Sequence, residues 1–190
     1  MHSGRPRLAQ RTLRGMRVVA GAHRGRRLHA PPGRDTRPTS DRVREALFQL
    51  LGPLGGVRVL DLFAGSGALA IEALSRGAAS AVLVEQDPRA VAVIRRNLEP
   101  LAADAEVRRG DALAFLRAYQ GPPFGLVLID PPYSSGSRLA GGLGHRLPRV
   151  ITENARIVTE SDKRTPLRLE LPLESERTYG DTRIAIHRGV

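Results

Sequence analysis

Apolar residues form short runs that alternate with helical patterns along most of the chain. Four runs are typical of buried strands: VRVLD at 57–61, AVLVE at 81–85, FGLVLID at 124–130 and ARIVTE at 155–160. A fifth and less apolar strand is predicted for AEVRRGD at 105–111. Because helical segments separate these strands, the pattern predicts a parallel sheet that is covered on both faces.

Capping and stop signals bound the helical segments. Residues 39–41 offer helix caps to apolar positions at helical spacing over 43–51. The Asp87-Pro88 pair opens a helix that runs to about Leu98. Three further helices are predicted: ALAIEALSRG at 68–77 with a stop at Gly77, ALAFLRAY at 112–119, and a glycine-weakened helix within 138–150.

The two ends of the chain have other patterns. Residues 16–21 predict a short strand, and the basic segment 23–38 has the turn residues of a loop or hairpin. Near the carboxyl end, LRLELPL at 167–173 and TRIAIHR at 182–188 alternate like an antiparallel hairpin. The elements together predict an α/β Rossmann-like fold, with a mostly parallel seven-stranded sheet, helices on both faces and an antiparallel carboxyl-terminal edge hairpin.

Length and composition limit the class of protein. With 190 residues, 41% of them hydrophobic, we expect one main domain at 53–190, preceded by a basic hairpin and helix at 16–52 and a flexible basic arm at 1–15. The absence of cysteine excludes disulfides and thiolate metal sites, and no metal is expected. Neither a membrane span nor a secretory signal is recognisable, so we expect a cytoplasmic protein without membrane contact.

Positive charge is concentrated in the first quarter of the chain. The net charge is +11, and residues 1–44 alone carry +10 because they hold twelve arginines against Asp35 and Asp41. GC-rich coding explains the preference for arginine over lysine, but it does not explain why acids are missing from one segment. We therefore predict a nucleic-acid face. The best candidates for phosphate contacts are Arg24, Arg26 and Arg27.

A glycine turn follows the first strand. In DLFAGSGALA, Gly65 and Gly67 let the backbone approach a ligand closely before a helix begins. Asp61 ends the first strand, Glu85 ends the second and Asp111 follows the third. We therefore expect three carboxylates at one rim of the sheet, where open α/β sheets bind ligands. The alternative is that Asp61 and Asp111 simply cap helices.

Two cofactors fit this turn. GSGALA matches the dinucleotide pattern and so leaves NAD open, although that pattern alone is weak. A carboxylate-rich pocket repels a pyrophosphate and suits the cationic S-adenosylmethionine, with its ammonium near Asp61 and its adenosine near Glu85 and Asp111. The candidate cofactor-binding residues are Asp61, Phe63, Ala64, Gly65, Ser66, Gly67, Glu85, Gln86, Asp111 and Ala112.

The fourth strand runs into the sequence Asp130-Pro131-Pro132-Tyr133. Prolines donate no hydrogen bond and keep the preceding residues extended, so the loop is a rigid array of acceptors beside a ring. An amino group on a flat base fits it, with N–H bonds to the Asp130 carboxylate and the Pro131 carbonyl and with stacking on Tyr133. These four residues are the candidate catalytic residues for methylation of an exocyclic amine. The alternative is a stiff turn without chemistry.

Several segments together resemble the RsmD-type bacterial 16S ribosomal RNA guanine-N2 methyltransferases. They are RPTSDRVREALF at 37–48, DLFAGSGALAIEALSRGA at 61–78, Glu85, GDAL at 110–113, DPPY at 130–133 and YGDTRIAIHR at 179–188. The resemblance covers about residues 16–188. It implies a class I methyltransferase fold, S-adenosylmethionine as methyl donor, and as acceptor one guanine of 16S RNA in the 30S subunit or its assembly intermediate.

The resemblance also assigns residues. It implies that Asp130 through Tyr133 form the acceptor site and that the carboxylates and glycines named above form the cofactor site. The RPT-x-DRVRE stretch borders both sites through Arg37, Thr39, Arg42 and Glu45, and the first three complete the predicted RNA-binding set. We expect the enzyme to act as a monomer.

The chain departs from the family pattern after DPPY. Residues 134–154 are glycine-rich and lack a Pro-Gly-like turn before the next strand, so no base-selecting residue is assigned there. Other functions stay open from the sequence. They are a DNA adenine-N6 or cytosine-N4 methyltransferase, a release-factor glutamine methyltransferase, a non-catalytic RNA-binding assembly factor, and an NAD-dependent enzyme.

Overall fold

The computed structural model describes residues 15–32, 40–132 and 136–190, the last range without the side chains of 136–138. Seven strands form one sheet. They are β1 (Arg58–Asp61), β2 (Ser80–Glu85), β3 (Ala105–Arg109), β4 (Phe124–Ile129), β5 (Ile151–Asp162), β6 (Leu173–Tyr179) and β7 (Thr182–Arg188). The sheet order is β3-β2-β1-β4-β5-β7-β6.

The described residues also form five α-helices and two short 3-10 helices. The α-helices are α1 (Asp41–Leu51), α2 (Ala68–Ser75), α3 (Pro88–Leu98), α4 (Ala112–Ala118) and α5 (Gly136–Arg146), and the 3-10 helices are Glu99–Leu101 and Leu147–Arg149. One core cluster joins α1, α2 and α3 to one face of the sheet, and a second joins α4 and α5 to the other. The predicted seven-stranded α/β fold with helices on both faces is confirmed.

The connections create a crevice at the carboxyl ends of the strands. Strands β1 to β5 are parallel, and β1 lies between β2 and β4. The chain leaves β1 toward β2 on one side of the sheet and reaches β4 on the other, so the strand order reverses next to β1. Open α/β sheets bind their ligands at such a reversal, outside the carboxyl ends of the strands.

Local capping chemistry sets the helix starts. The Asp87 carboxylate accepts the Arg89 N–H at 2.8 Å, and Pro88 is the first residue of α3. This cap sets the start of the helix, and both ends of α3 agree with the sequence prediction. The Ser40 hydroxyl accepts the Val43 N–H at 3.3 Å at the start of α1.

The position predicted for the first strand of the carboxyl-terminal hairpin is wrong. β7 pairs antiparallel with β5 and with β6, but β6 is Leu173–Tyr179 rather than LRLELPL at 167–173. The alternating leucines of 167–171 are buried because they cover one face of the sheet, not because they pair in it. Two buried side chains of β7 hold this segment: Arg183 donates to the Leu167 carbonyl, and the His187 ring contacts the Leu171 carbonyl.

The amino-terminal segment is a hairpin rather than a strand. Residues 16–29, termed the basic hairpin below, contain one isolated antiparallel bridge between Arg17 and Arg27 in place of the predicted strand at 16–21. Backbone bonds on either side of that bridge close the hairpin, including Val18 N–H to the Arg26 carbonyl at 2.9 Å. The hairpin therefore lies earlier in the chain than the loop or hairpin predicted for 23–38, of which residues 33–38 lie outside the described residues.

Glu72, which is fully buried in α2, anchors the basic hairpin. Its carboxylate accepts the Val19 N–H at 2.7 Å and the Ala20 N–H at 3.0 Å. Arg76 Nε binds it at 2.7 Å, and the buried Arg44 Nε lies 3.8 Å away. A buried carboxylate needs such partners, and here cations of two helices and backbone of the hairpin supply them.

Ser75 provides a second anchor one turn later in α2. Its hydroxyl accepts the His23 N–H at 2.9 Å and donates to the Ala20 carbonyl at 2.5 Å. Gly21 adopts φ +82°, and a Cβ there would lie 1.8 Å from the Ser75 carbonyl oxygen. Only glycine therefore allows the hairpin to approach α2 this closely.

Removing the Glu72 carboxylate should destabilise the protein strongly. In Glu72→Ala, the buried Arg44 loses a counterion and two hairpin N–H groups lose their acceptor. We expect the free energy of unfolding to fall by about 3–5 kcal/mol. Urea unfolding of both variants measures this, with Glu45→Ala as control because that carboxylate is a half-exposed partner of Arg76 and its loss costs about 1 kcal/mol or less. Equal losses in the two variants would contradict the anchoring role.

Candidate functional site

The glycine turn and the acceptor loop begin at neighbouring strand ends. Asp61, the last residue of β1, is in register with Leu83 of β2 and with Leu128 of β4. The pairing continues one residue further, because the Leu62 N–H donates to the Leu128 carbonyl at 3.0 Å. The turn after β1 and the loop after β4 therefore leave the sheet side by side, at the reversal of strand order.

The glycine turn has left-handed backbone at both glycines. Gly65 has φ +57° and Gly67 has φ +80°, and Gly67 caps the amino end of α2. The Gly67 N–H donates to the Ala64 carbonyl at 2.6 Å and closes a tight turn. The left-handed backbone favours glycine at residue 67, where a Cβ would also crowd the Leu83 side chain at 3.2 Å.

Asp61 is a buried acid at the end of β1. Its side chain is 1% exposed, and neither carboxylate oxygen accepts a hydrogen bond of normal geometry from the described residues. Its pKa is raised from 3.8 to about 7, mainly because burial disfavours the charged form; the backbone N–H groups of Phe63 and Ala70 oppose the rise, and the nearby Glu85 carboxylate adds to it. An unpaired buried carboxylate is costly, so this position calls for a cationic or hydrogen-donating ligand.

Glu85, the last residue of β2, braces the glycine turn. One carboxylate oxygen accepts the Gly65 N–H at 2.9 Å, and the other accepts the Asp87 N–H at 2.9 Å. The side chain is 4% exposed. A carboxylate has further lone pairs, so binding the turn does not exhaust its capacity for the predicted ribose contact.

Asp111, the third acid at the rim of the sheet, caps a helix, which was the alternative interpretation of this residue from the sequence. Asp111 is exposed, and its carboxylate accepts the Ala114 N–H at 2.8 Å at the start of α4. Asp61 is not the N-cap residue of α2, which is Gly67, but the Ala70 N–H in the first turn of that helix lowers the Asp61 pKa. The expected adenosine contact of Asp111 stays a prediction, which its second carboxylate oxygen is free to make in the described structure.

The other predicted cofactor residues differ in exposure. Ala64 and Ala112 are buried, Phe63 is half-buried against the core, and Gln86 is exposed beside Glu85. The Ser66 hydroxyl lies 3.6 Å from the Met16 sulfur, in contact with the basic hairpin. The structure thus brings all of the predicted cofactor residues to the ends of β1, β2 and β3.

The acceptor loop follows directly on β4. Asp130 is half-buried, Pro131 is buried and Pro132 is half-buried, which fits a stiff loop packed against the domain. Tyr133 lies outside the described residues, and so does its predicted stacking role.

The basic side of the site consists of the arginines of the basic hairpin and of α1. Arg24, Arg26 and Arg27 of the basic hairpin and Arg42 of α1 are exposed, and no ion pair joins them to the described part of the chain. Arg37, Thr39 and the arm at 1–14 lie outside the described residues. A concavity of about 360 Å³ separates the hairpin from α1, bordered by Arg17, Arg24, Asp41 and Glu45. No residue of the strand ends borders it, so it belongs to the basic side and not to the cofactor rim.

Sequence reasoning missed three residues that hold these parts together. Glu72 and Ser75 of α2 bind the basic hairpin, and Asn97 of α3 binds both the hairpin and the glycine turn. A charged or amide residue at an inward position of an apolar helical pattern is a signal that could have pointed to Glu72 and Asn97. The identity of their partners is a property of the tertiary fold.

None of the described helices is long and apolar enough to cross a membrane. Within the same ranges, no cluster of three or more histidine and acidic side chains is arranged to hold a metal ion.

Comparisons with known proteins identify the family. The family model described as conserved hypothetical protein 95 matches residues 16–188. YlbH of Bacillus subtilis strain 168, a candidate rRNA methyltransferase, is 38% identical over 181 residues, which are 91% of this chain and 98% of that protein. Ribosomal RNA small subunit methyltransferase D of Escherichia coli K12 is 46% identical over 123 residues, 64% of this chain and 62% of the relative.

A solved structure agrees with these relatives. The candidate methyltransferase yhhF of Escherichia coli is 36% identical and superimposes with a TM-score of 0.78, over 93% of this chain and 99% of that one. The class I methyltransferase fold that the motifs implied is therefore confirmed. The chain belongs to the conserved hypothetical protein 95 family, and the RsmD-type resemblance of its motifs is confirmed.

Proposed function

We propose that this chain methylates the exocyclic N2 amine of a guanine in 16S ribosomal RNA, with S-adenosylmethionine as methyl donor. One observation carries the proposal: the glycine turn after β1 and the Asp130-Pro131-Pro132 loop after β4 leave the sheet side by side where the strand order reverses. A donor site and an acceptor site are thereby adjacent, as transfer of one group between two bound molecules requires.

The residues present fit S-adenosylmethionine. Within the described residues the Asp61 carboxylate has no counterion, and the ammonium of the cofactor would supply one. Glu85 at the end of β2 and Asp111 after β3 would hold the adenosine, and the glycine turn lies between Asp61 and the start of α2. When bound, the cofactor supplies an electrophilic methyl group.

The acceptor loop prepares a weak nucleophile. The lone pair of an exocyclic base amine is delocalised into the ring, so the planar amine reacts poorly. In this proposal, N–H bonds to the Asp130 carboxylate and the Pro131 carbonyl favour a pyramidal nitrogen whose lone pair is exposed, and the carboxylate takes the proton that the amine loses. Since these contacts strengthen as the nitrogen becomes pyramidal, they lower the barrier and not only the dissociation constant.

The basic side brings the substrate near. The exposed arginines of the basic hairpin and of α1 suit the phosphates of RNA, and the target base must leave its stack to reach the loop. The substrate we propose is the 30S subunit or its assembly intermediate, met by a monomeric enzyme in the cytoplasm. In this proposal residues 16–52 form an RNA-facing part of the methyltransferase domain at 53–190, and the arm at 1–15 adds further phosphate contacts.

Mapping the modified base tests the function directly. Mass mapping of 16S RNA from a deletion strain should show one guanine that lacks its N2 methyl group and regains it with purified enzyme and S-adenosylmethionine. Methyl incorporation into DNA or into a protein glutamine, or none into any acceptor, would support one of the other functions instead.

Asp61→Asn should separate stability from cofactor binding. Burial raises the pKa of Asp61 from 3.8 to about 7, so between these values the folded protein holds a proton that the unfolded chain releases. Stability of the unliganded protein therefore falls as the pH rises through this window, and the buried charge costs most above pH 7. At pH 8 we expect the variant to melt a few degrees higher and to bind S-adenosylhomocysteine about tenfold more weakly or worse.

Thermal unfolding at pH 5 and pH 8 and calorimetry measure both effects. The gain in melting temperature should largely vanish at pH 5, where the wild-type carboxyl is protonated in the fold. Asp111→Asn serves as control because that acid is exposed and should give no gain. A lower melting temperature of Asp61→Asn at pH 8 together with unchanged affinity would show that another group pairs with Asp61.

Asp130→Ala should remove catalysis and spare the cofactor. We expect methyl transfer to 30S particles to fall by about 100-fold or more, because a transition-state contact is lost, while S-adenosylhomocysteine affinity changes less than about twofold. Radiolabelled methyl transfer and calorimetry measure the two quantities, with the exposed Asp104→Ala as control. Loss of cofactor affinity in the Asp130 variant would reassign this residue to the donor site.

Removing three arginines of the hairpin should change the salt dependence of RNA binding. For the triple variant Arg24→Ala, Arg26→Ala, Arg27→Ala we expect weaker binding and a slope of log affinity against log salt that is shallower by about 2. Filter binding of a 16S fragment over a range of salt concentrations measures the slope. The matched control removes the exposed arginines of α3, namely Arg89, Arg95 and Arg96. If both triple variants change the slope equally, the hairpin arginines contact RNA no more than the arginines of α3 do.

A further inference from the structure

Asn97 joins two segments that are far apart in sequence. It lies near the end of α3 and is 3% exposed. Its Oδ1 accepts the His29 N–H at 2.8 Å, and its Nδ2 donates to the His29 carbonyl at 3.0 Å and to the Ser66 carbonyl at 2.9 Å. One side-chain amide therefore binds the basic hairpin on one side and the glycine turn on the other.

The contact with Ser66 falls at a sensitive point of the cofactor turn. Ser66 stands between the two left-handed glycines, and Glu85 already holds the preceding Gly65 N–H at 2.9 Å. The Asn97 amide thus provides the second fixed point of the same turn. The Met16 sulfur, 3.6 Å from the Ser66 hydroxyl, adds a contact from the hairpin itself.

The pattern of bonds specifies asparagine. Both N–H groups of the amide and its oxygen are used, so a carboxylate of the same shape would lose the donors and an apolar side chain would lose all three bonds. Buried polar groups left without these bonds are costly, which ties the position of His29 to the position of Ser66. If the hairpin moves, the amide loses two bonds and its remaining hold on the turn weakens.

We propose that Asn97 is a positioning residue that couples RNA binding at the basic hairpin to cofactor binding at the glycine turn. The inference rests on the proposed function, which places RNA on the hairpin and S-adenosylmethionine at the turn. RNA that holds the hairpin in place also holds His29 in place. Because His29 is bonded to the Asn97 amide, that amide is then fixed as well, and it in turn fixes the Ser66 carbonyl and the glycine turn. Such coupling is reciprocal, so the cofactor should tighten RNA binding by the same factor.

Ser75 supplies the matched comparison. Its hydroxyl binds the hairpin at His23 and Ala20, as Asn97 binds it at His29, but no bond of Ser75 reaches the glycine turn. A variant at residue 75 loosens the hairpin and leaves the turn braced. A variant at residue 97 cuts the connection between them.

The test is the ratio of S-adenosylhomocysteine dissociation constants without and with a saturating 16S RNA fragment. Calorimetry on the full chain measures it for wild type, Asn97→Ala and Ser75→Ala. We expect a ratio of about threefold or more in wild type and in Ser75→Ala, and a ratio near one in Asn97→Ala, whose affinity without RNA is also reduced. A purely structural role of Asn97 would lower stability without changing the ratio.

Two results would overturn the proposal: a wild-type ratio of one, or a ratio in Asn97→Ala equal to that of wild type. If Asn97→Ala does not fold, His29→Pro replaces it, because proline removes the N–H that donates to Asn97 Oδ1 and leaves Asn97 itself in place, and the ratio should again fall. An unchanged ratio there overturns the proposal as well. Failure of the proposed function is distinct, since a wild-type chain that neither binds the cofactor nor methylates RNA shows it before any variant is made.

Discussion

The bond from the Gly65 N–H to the Glu85 carboxylate is the constraint on which the site depends. A turn with two left-handed glycines has little conformational preference of its own, so its shape must be imposed from outside. The buried end of β2 imposes it, because one Glu85 oxygen holds Gly65 and the other holds the Asp87 N–H where α3 begins. The same helix then carries Asn97 back to the turn, which is therefore fixed at two points by one strand–helix unit.

This arrangement accepts an electrostatic conflict in exchange for a ligand site. Burial raises the pKa of Asp61 to about 7, and the charge of the neighbouring Glu85, which braces the turn, adds to the rise. A protein selected only for stability would pair or remove that acid. The strand pairing of β1 with both β2 and β4 keeps Asp61 in place despite the cost, as is typical of groups that await a ligand.

The parts that the sequence predicts are those governed by local rules. The cap at Asp87, the apolar strands and the acids at strand ends follow from periodicity and parallel topology, and the structure places them as expected. The leucines of 167–171 misled because alternation reports which side chains are buried, and an irregular segment lying over a sheet can alternate as a strand does. The bonds from Glu72 and Asn97 to the basic hairpin could not be predicted, since their partners there lie 52–68 residues away along the chain.

The arginines of the first quarter have two different roles that composition cannot separate. Arg17 is bound to Asp41, and Arg44 lies buried between Asp41 and Glu72, so these cations complete the docking of the hairpin and of α1. Arg24, Arg26, Arg27 and Arg42 are exposed with no ion pair to the described chain. Of the two acids in this region, Asp41 is paired with Arg17 and Arg44, and Asp35 lies outside the described residues. The charge left at the surface is positive because Glu72 and Asp41 neutralise the arginines that hold the segment in place and not those that face outward.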